Sequence, residues 1–242
     1  MATIGIIGMG KMGNTIAAVL ESHPNHQGLQ FQRINPSNQA QLQSCDVAIE
    51  FTTPEAAPGV IKQCLDLGIP LVSGTTGWHE SHLEEIRAYN RQLNGTFLFA
   101  TNFSIGMNVV FALNKRLAAV MAKFPEFKPS IREVHHIHKK DSPSGTAYTL
   151  LEELILHHPS YTNFELNGEA EHATPGFIPV EAIREGDVKG IHEVMWKSEK
   201  ESISIRHDAH DRRIFAEGAV MAATWLLDKP AGEYTMKDII RL

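Results

Sequence analysis

The stretch T-I-G-I-I-G-M-G-K-M-G, residues 3–13, decides the fold. Thr3 to Ile7 is a short β-branched apolar run, the pattern of a strand buried on both faces. Gly8, Gly10 and Gly13 follow at G-x-G-x-x-G spacing, with Met9, Lys11 and Met12 between them. Asn14 to Ser22 then reads as a helix with Ile16, Ala17 and Leu20 on one side. In a strand–turn–helix context the three glycines differ in role. Gly8 permits the tight turn, Gly10 lets the backbone approach a pyrophosphate, and Gly13 lets the helix pack close to the strand. The helix N-terminus offers N–H groups and positive potential to the phosphates. A plain glycine turn is the bland alternative. The phosphate-binding pattern G-x-x-x-x-G-K-[ST] is not present, which argues against a nucleotide triphosphatase.

Outward from this turn, strands and helices alternate. Leu29 to Ile34 reads as a second strand, Asp46 to Phe51 as a third, and Thr52-Thr53-Pro54-Glu55 as the start of a helix running to about Leu67, stopped by Gly68. Ile69 to Val72 and Thr96 to Ala100 are further strands around a helix over Glu80 to Leu93. That alternation predicts a parallel sheet with helices on both faces, a Rossmann-type α/β domain whose ligands bind at the carboxyl ends of the strands. Three such ends carry polar or glycine-rich turns: Phe51-Thr52-Thr53, Gly74-Thr75-Thr76 and Ala100-Thr101-Asn102-Phe103. They are candidates for the nicotinamide–ribose side of a dinucleotide, against ordinary turn chemistry. No Asp or Glu occurs between Ser22 and Cys45, and Arg33 and Asn35 sit where a ribose-binding acid would be expected. Without a carboxylate to repel a 2′-phosphate, NADPH is expected to be accepted along with NADH; the alternative makes Arg33 only a solvated strand-end residue.

The second half has a different rhythm. A helix is expected over Asn108 to Lys123 with Val109, Ala112, Leu113, Leu117 and Val120 on its buried face. A strand over Ser130 to His136 follows, then a helix opened by Ser144-Gly145-Thr146 and running to about His157, with Leu150, Leu151, Leu154 and Ile155 as its apolar stripe. Residues 158–177 read as an excursion loop. Ile178 to Arg184, Gly190 to Lys197 and Glu201 to Arg206 read as strands, the last two as a hairpin around Ser198-Glu199-Lys200. Strands without helices between them indicate an α+β domain with a mixed or antiparallel sheet. After Asp211 a broad apolar helix and a short element at Met236 to Ile240 close the chain.

A chain of 242 residues that is 43% apolar can bury one large core or two modest ones, and its net charge of −6 argues against general nucleic-acid binding. Cys45 and Cys64 have neither metal nor redox spacing, no apolar run reaches the roughly 18 residues of a membrane span, and no basic-then-apolar leader is apparent. The reading is a cytoplasmic protein with no nucleic-acid or membrane partner.

Chemistry concentrates between His135 and Lys140, where three histidines and two lysines occupy six positions ahead of a Pro-Ser-Gly-Thr turn. The cluster has three readings. It is a solvated basic patch; or a metal site, since H-x-H spacing on a strand puts His136 and His138 on one face, although adjacent lysines repel a cation; or a site for an anionic substrate that needs a proton. In the third, lysine supplies fixed charge, histidine donates near neutral pH, and the N–H groups of Gly145 and Thr146 at a helix N-terminus suit a carboxylate. Opposite a dinucleotide turn, such a site suggests hydride transfer followed by protonation.

Gly8 to Gly13 followed by E-V-H-H-I-H-K-K-D-S-P-S-G-T-A at 133–147 resembles the dihydrodipicolinate reductase family, also called 4-hydroxy-tetrahydrodipicolinate reductases. E-F-T-T-P-E at 50–55, G-T-T-G at 74–77, A-T-N-F-S-I-G-M-N at 100–108, G-x-H-E-V at 190–194 and R-x-x-F-A at 212–216 extend the resemblance over the whole chain. The resemblance implies reduction of a cyclic unsaturated imine dicarboxylate by NADH or NADPH on the diaminopimelate route to lysine. It implies His135 as proton donor and acceptor and Lys139 as second donor. His136, Gly145 and Thr146 would hold the substrate carboxylates, and Gly74 to Thr76 and Ala100 to Phe103 would line the cofactor. It also implies a dinucleotide-binding domain over 1–105 and 211–242, a substrate-binding and oligomerisation domain over 106–210, hinges near Ile105–Gly106 and His210–Asp211, and a homotetramer. Asn35 and Ser142 depart from the family's usual acid and alanine, and the segment between the second and third strands is short, which predicts a more open adenine side. Another Rossmann imine or keto-acid reductase, or a non-catalytic redox sensor, remains the alternative.

Overall fold

The computed structural model describes residues 2–22, 28–167 and 173–241. They form two compact units, Met1–Ile105 with Arg212–Leu242, and Gly106–Asp211.

The first unit is built on β1 (Ala2–Ile7), β2 (Leu29–Ile34), β3 (Val47–Glu50), β4 (Leu71–Ser73) and β5 (Thr96–Phe99), with helices α1 (Lys11–Ser22), α2 (Ala57–Asp66) and α3 (His79–Leu93) between them. A last strand, named β11 because five strands of the second unit precede it, spans Gly232–Tyr234; the sheet order is β11-β5-β4-β3-β1-β2, and every pairing is parallel. Alternation along each strand divides the core. Ile4, Ile6, Val47 and Ile49 face α1 and the late helix α6 (Arg213–Leu226), while Ile7, Ala48, Leu71 and Phe97 face α2 and α3. The chain goes to one side of β1 for β2 and to the other for β3, so a topological switch point lies between β1 and β3, where ligands of such sheets bind.

Two expectations need correction here. The helix expected from Thr52 starts at Ala57, because Glu50 captures the Thr52 N–H and hydroxyl and the following residues form a turn in which Thr53 O accepts from Ala56 N and Ala57 N. The three-residue β11, just past Pro230, was not expected; it pairs with β5 from Gly232 opposite Thr96.

The second unit carries α4 (Ile105–Met121), β6 (Lys128–His135), α5 (Gly145–His157), β7 (Asn163–Leu166), β8 (Phe177–Arg184), β9 (Ile191–Lys197) and β10 (Ser202–Asp208). Its sheet order is β10-β9-β6-β8-β7; β6 and β8 are parallel, as are β7 and β8, and β6 with β9 and β9 with β10 are antiparallel, a mixed sheet. Ile131, Ile178, Val180, Val194 and Trp196 turn one face of it onto α4 and α5.

The structure corrects the buried face of α4. Met107, Val110, Phe111, Asn114, Ala118 and Met121 are inside, while Leu113 is 51% and Val120 40% exposed. The helix has two apolar stripes, and the polar Asn114 made the true one look weaker. Its Nδ2 nevertheless finds an acceptor in the core, donating to Leu150 O at 3.0 Å. The expected loop over 158–177 likewise contains β7, an edge strand of alternating Asn163, Phe164, Glu165 and Leu166 pairing with β8; residues 168–172 of that loop lie outside the described residues.

Candidate active site

The glycine turn of the first unit has the geometry of a dinucleotide cradle. Gly8 has φ +93°, and a Cβ on it would lie 2.1 Å from Phe51 O. A Cβ on Gly13 would lie 2.0 Å from Gly8 O, so α1 can sit this close to the turn only without a side chain there. A Cβ on Gly10 would meet nothing within 4 Å, which leaves open space where a pyrophosphate would approach the backbone. No acid occupies the first turn of α1, which begins with Lys11, so the positive end of the helix is not neutralised by its own side chains. These residues fit a dinucleotide.

Glu50 at the end of β3 organises the neighbouring turns. It is fully buried, and no cation pairs with it among the described residues. Oε1 accepts from Thr52 N at 2.6 Å, Thr52 Oγ1 at 2.5 Å and Thr75 Oγ1 at 2.5 Å, and Oε2 accepts from Ser73 Oγ at 2.6 Å. One carboxylate thereby ties the 50–53 turn to the 73–75 turn. Gly74 packs under Phe51, whose ring lies 2.2 Å from where its Cβ would be, and Trp78 donates from Nε1 to Thr75 O at 2.7 Å. Phe103, at the end of the 100–103 turn, points inward. Its ring is buried in the core, edge-on to Phe51 at 5.7 Å, and its carbonyl lies where a Cβ on Gly218 would be, 1.9 Å away.

In the second unit three strands and a helix cap converge on one carboxylate. Glu133 and His135, two residues apart on β6, point to the face that carries Ile131. Register sets Glu133 opposite His192 on β9 and His135 opposite Arg184 on β8. Glu133 is fully buried; its Oε1 accepts from Ser144 N and from the Arg184 guanidinium, both at 3.0 Å. Its Oε2 lies 3.4 Å from His135 Nδ1 and 3.7 Å from His192 Nε2. Ser144 caps α5, its Oγ accepting from Ala147 N at 3.2 Å, and it also meets His192 Nε2 at 3.2 Å. Gly145 and Thr146 are therefore the first residues of a well-capped helix whose N-terminus is set beside the histidine pair. Lys139 pairs with Asp141 at 2.8 Å, and Arg184 also donates to Asp141 O at 2.6 Å.

Of the expected residues, His135, Gly145 and Thr146 are gathered at this cluster with Lys139 in its electrostatic field, and His136 is half-buried with its ring 6.3 Å from that of His138. The H-x-H pair is not the cation-ligand group that the geometry offers. Glu133, His135 and His192 each bring a donor atom within 4.8 Å of the others, but Arg184 already holds Glu133 and Lys139 adds positive charge, both opposing a metal ion. Glu133 and His192 lie in the E-V-H-H and G-x-H-E-V runs, where nothing local marks them as partners of His135, and Arg184 carries no local mark at all.

Burial, then Lys139 and Arg184, push His135 down to about 3 from an ordinary 6.5. Burial, then His135 itself, push His192 down to about 3 as well. Both imidazoles are neutral at pH 7 in the ligand-free protein. A histidine whose folded pKa is depressed binds its proton more readily when unfolded, so stability is complete above about 6.5 and is lost as pH falls toward 3. The urea midpoint of unfolding should fall between pH 7 and pH 5, above the range in which carboxylates titrate. A midpoint that does not change over that interval would contradict buried neutral histidines.

Two family models match the chain: Dihydrodipicolinate reductase, N-terminus, over residues 2–103, and Dihydrodipicolinate reductase, C-terminus, over residues 106–240. A 4-hydroxy-tetrahydrodipicolinate reductase of Christiangramia forsetii is 37% identical over 237 residues, 98% of this chain and 97% of that protein. One of Alkaliphilus metalliredigens is 36% identical over 238 residues, 96% of each. Among solved structures, a dipicolinate-bound dihydrodipicolinate reductase from Paenisporosarcina sp. TG-14 superposes with a TM-score of 0.71 at 21% identity, covering 97% of each chain, a likeness of fold.

Proposed function

The chain belongs to the dihydrodipicolinate reductase family, and we propose that it reduces 4-hydroxy-tetrahydrodipicolinate to tetrahydrodipicolinate with NADH or NADPH on the diaminopimelate route to lysine. The observation that supports this best is the buried histidine His135, set among fixed cations at the N-terminus of α5, in a chain whose other unit carries a dinucleotide cradle.

A bound nicotinamide supplies hydride to an electron-poor ring carbon. Replacing the ring hydroxyl by hydrogen takes one hydride and one proton and releases water. The chain's own residues bind, orient and supply the proton. His136 and the N–H groups of Gly145 and Thr146 grip the two carboxylates, as the helix N-terminus favours. His135 delivers the proton from its imidazole and Lys139 acts as second donor while adding positive charge for the dianion. Gly8, Met9, Gly10, Lys11, Met12 and Gly13 hold the pyrophosphate, and the 74–76 and 100–103 turns border the nicotinamide side. The unit over 106–210 also carries association into a homotetramer in the cytoplasm, through the sheet face on which Ser130, Met195 and Ser204 lie in register. Among the described residues, no helix is long and apolar enough to cross a membrane.

The test is a coupled assay that generates the substrate from pyruvate and aspartate semialdehyde and follows NAD(P)H oxidation. Turnover is expected. Failure here with turnover of another imine or keto acid would favour a different Rossmann reductase, and cofactor binding without any turnover would favour a redox sensor. Arg33, at the end of β2, pairs with Glu21 at 3.2 Å with both side chains exposed, so the guanidinium can turn to a 2′-phosphate at little cost. The values of kcat/KM for NADH and NADPH should therefore lie within about tenfold of each other. An NADH preference above roughly a hundredfold would overturn that expectation.

A further inference from the structure

Glu133 is an unusual residue for its position in the sheet. It occupies a fully buried position on a strand, where an ionised carboxylate costs free energy and an apolar side chain would pack without that cost. What it does there is legible from its partners. Oε1 is pinned by Ser144 N and Arg184, which fixes the plane of the carboxylate. Oε2 is thereby aimed at His135 Nδ1, 3.4 Å away, and neither atom has a hydrogen-bond partner among the described residues. Buried polar atoms are rarely left unpaired, and a proton on Nδ1 would satisfy both. The His192 ring stands edge-on to the His135 ring, centroids 4.9 Å apart at 70°, which hinders the imidazole from turning over. On the other edge of that ring lies Gly190, where a Cβ would come within 3.2 Å of Nε2; glycine keeps that nitrogen uncrowded.

We propose that Glu133 is a positioning residue for His135: its Oε2 accepts a hydrogen bond from Nδ1–H, fixing the tautomer and ring orientation that leave Nε2 to face the substrate, and its charge supports the imidazolium when the ring is protonated. The inference rests on the reading of His135 as proton donor, and it adds a residue that acts only through that ring. Lys139, Arg184, Asp141, His136 and His192 are the other groups bearing on the imidazole, and none of them offers Nδ1 an acceptor at this distance.

The experiment compares the full-length wild type with Glu133→Gln and Glu133→Asp. Wild-type turnover is measured first, because its absence would refute the proposed reaction while leaving the tautomer question open to ¹⁵N NMR of the His135 ring. In wild type the ring should show a protonated Nδ1 and a bare Nε2; in Glu133→Gln, a mixture of tautomers. The Gln variant should lose about tenfold or more in kcat with KM for the substrate little changed. Because a neighbouring negative charge is gone, the pH above which kcat declines should move down by about one unit. Glu133→Asp keeps the charge but withdraws it by one methylene, so kcat should fall while the pH limb moves less. If the Gln variant does not fold, the wild-type tautomer and the Asp profile decide. A wild-type Nε2–H tautomer, or a Gln variant with wild-type kcat and pH profile, would overturn the inference.

Discussion

Replacing His135 by alanine should lower kcat by about 10²- to 10⁴-fold, the usual worth of a positioned general acid, while NADH still binds. The size of the effect follows from the charge state of the site. The ligand-free imidazole is neutral, because burial and then Lys139 and Arg184 disfavour its cation. A neutral imidazole has no proton to give from Nε2 if Nδ1 holds the only one. On the proposed reading a dicarboxylate would change this balance: two negative charges arriving beside Lys139 would offset the cations that suppress protonation, and the ring would take up a proton as substrate binds. Calorimetry of dipicolinate binding in buffers of different ionisation enthalpy should therefore show proton uptake in wild type that is absent in His135→Ala. Lys139→Ala should also lower kcat by about 10²-fold, with KM raised because part of the dianion's binding charge is lost. Wild-type rates in both variants would remove them from the chemistry, and equal proton uptake with and without His135 would move the titrating group elsewhere.

Gly8→Ala should be the most damaging single substitution in the first unit. The backbone at Gly8 is left-handed, which costs an alanine about 1–3 kcal/mol, and a Cβ 2.1 Å from Phe51 O adds an overpacking cost of about the same size. The obstacle is backbone, so no rotamer change relieves it. A loss of roughly 2–6 kcal/mol is a large part of the total stability of an ordinary domain. The consequence extends beyond stability, because Phe51 leads into the turn that Glu50 ties to Thr75, so strain at Gly8 reaches the 50–53 and 73–75 turns together. Thermal unfolding should shift down by many degrees, and NADH should give the variant much less protection than wild type. An unchanged melting temperature with wild-type NADH affinity would show that the turn can accept a side chain.

The alternating halves of the chain, the parallel sheet of the first unit and the mixed sheet of the second were legible because buried strands, glycine turns and a capped helix leave local marks. Ser144 with Gly145 and Thr146 is such a mark. The site was legible in part, since His135 and Lys139 stand in a dense, specific run. Its supporting partners were not. Arg184 and His192 meet Glu133 through strand register across β8 and β9, which no local pattern encodes. The buried face of α4 was misread for a related reason: Asn114 belongs inside only because Leu150 O, 36 residues later, accepts its amide. Short edge strands such as β7 and β11 carry too few residues to show a period.

The interrupted course of the first unit bears on how the chain is made. Its apolar cluster joins Ile4, Ile16, Val47 and Leu98 to Ala216, Ala219, Val220, Ala222, Ala223 and Leu226 of α6. A ribosome delivers the former long before the latter, with all of Gly106–Asp211 synthesised in between. At about 5–20 residues per second that delay is roughly 5–20 s, during which the sheet has no α6 to cover it. The second unit, being one unbroken segment, has all of its sheet and helices before the first is complete. Nascent chains stopped near residue 211 should thus be the aggregation-prone species, and the ones on which chaperones act.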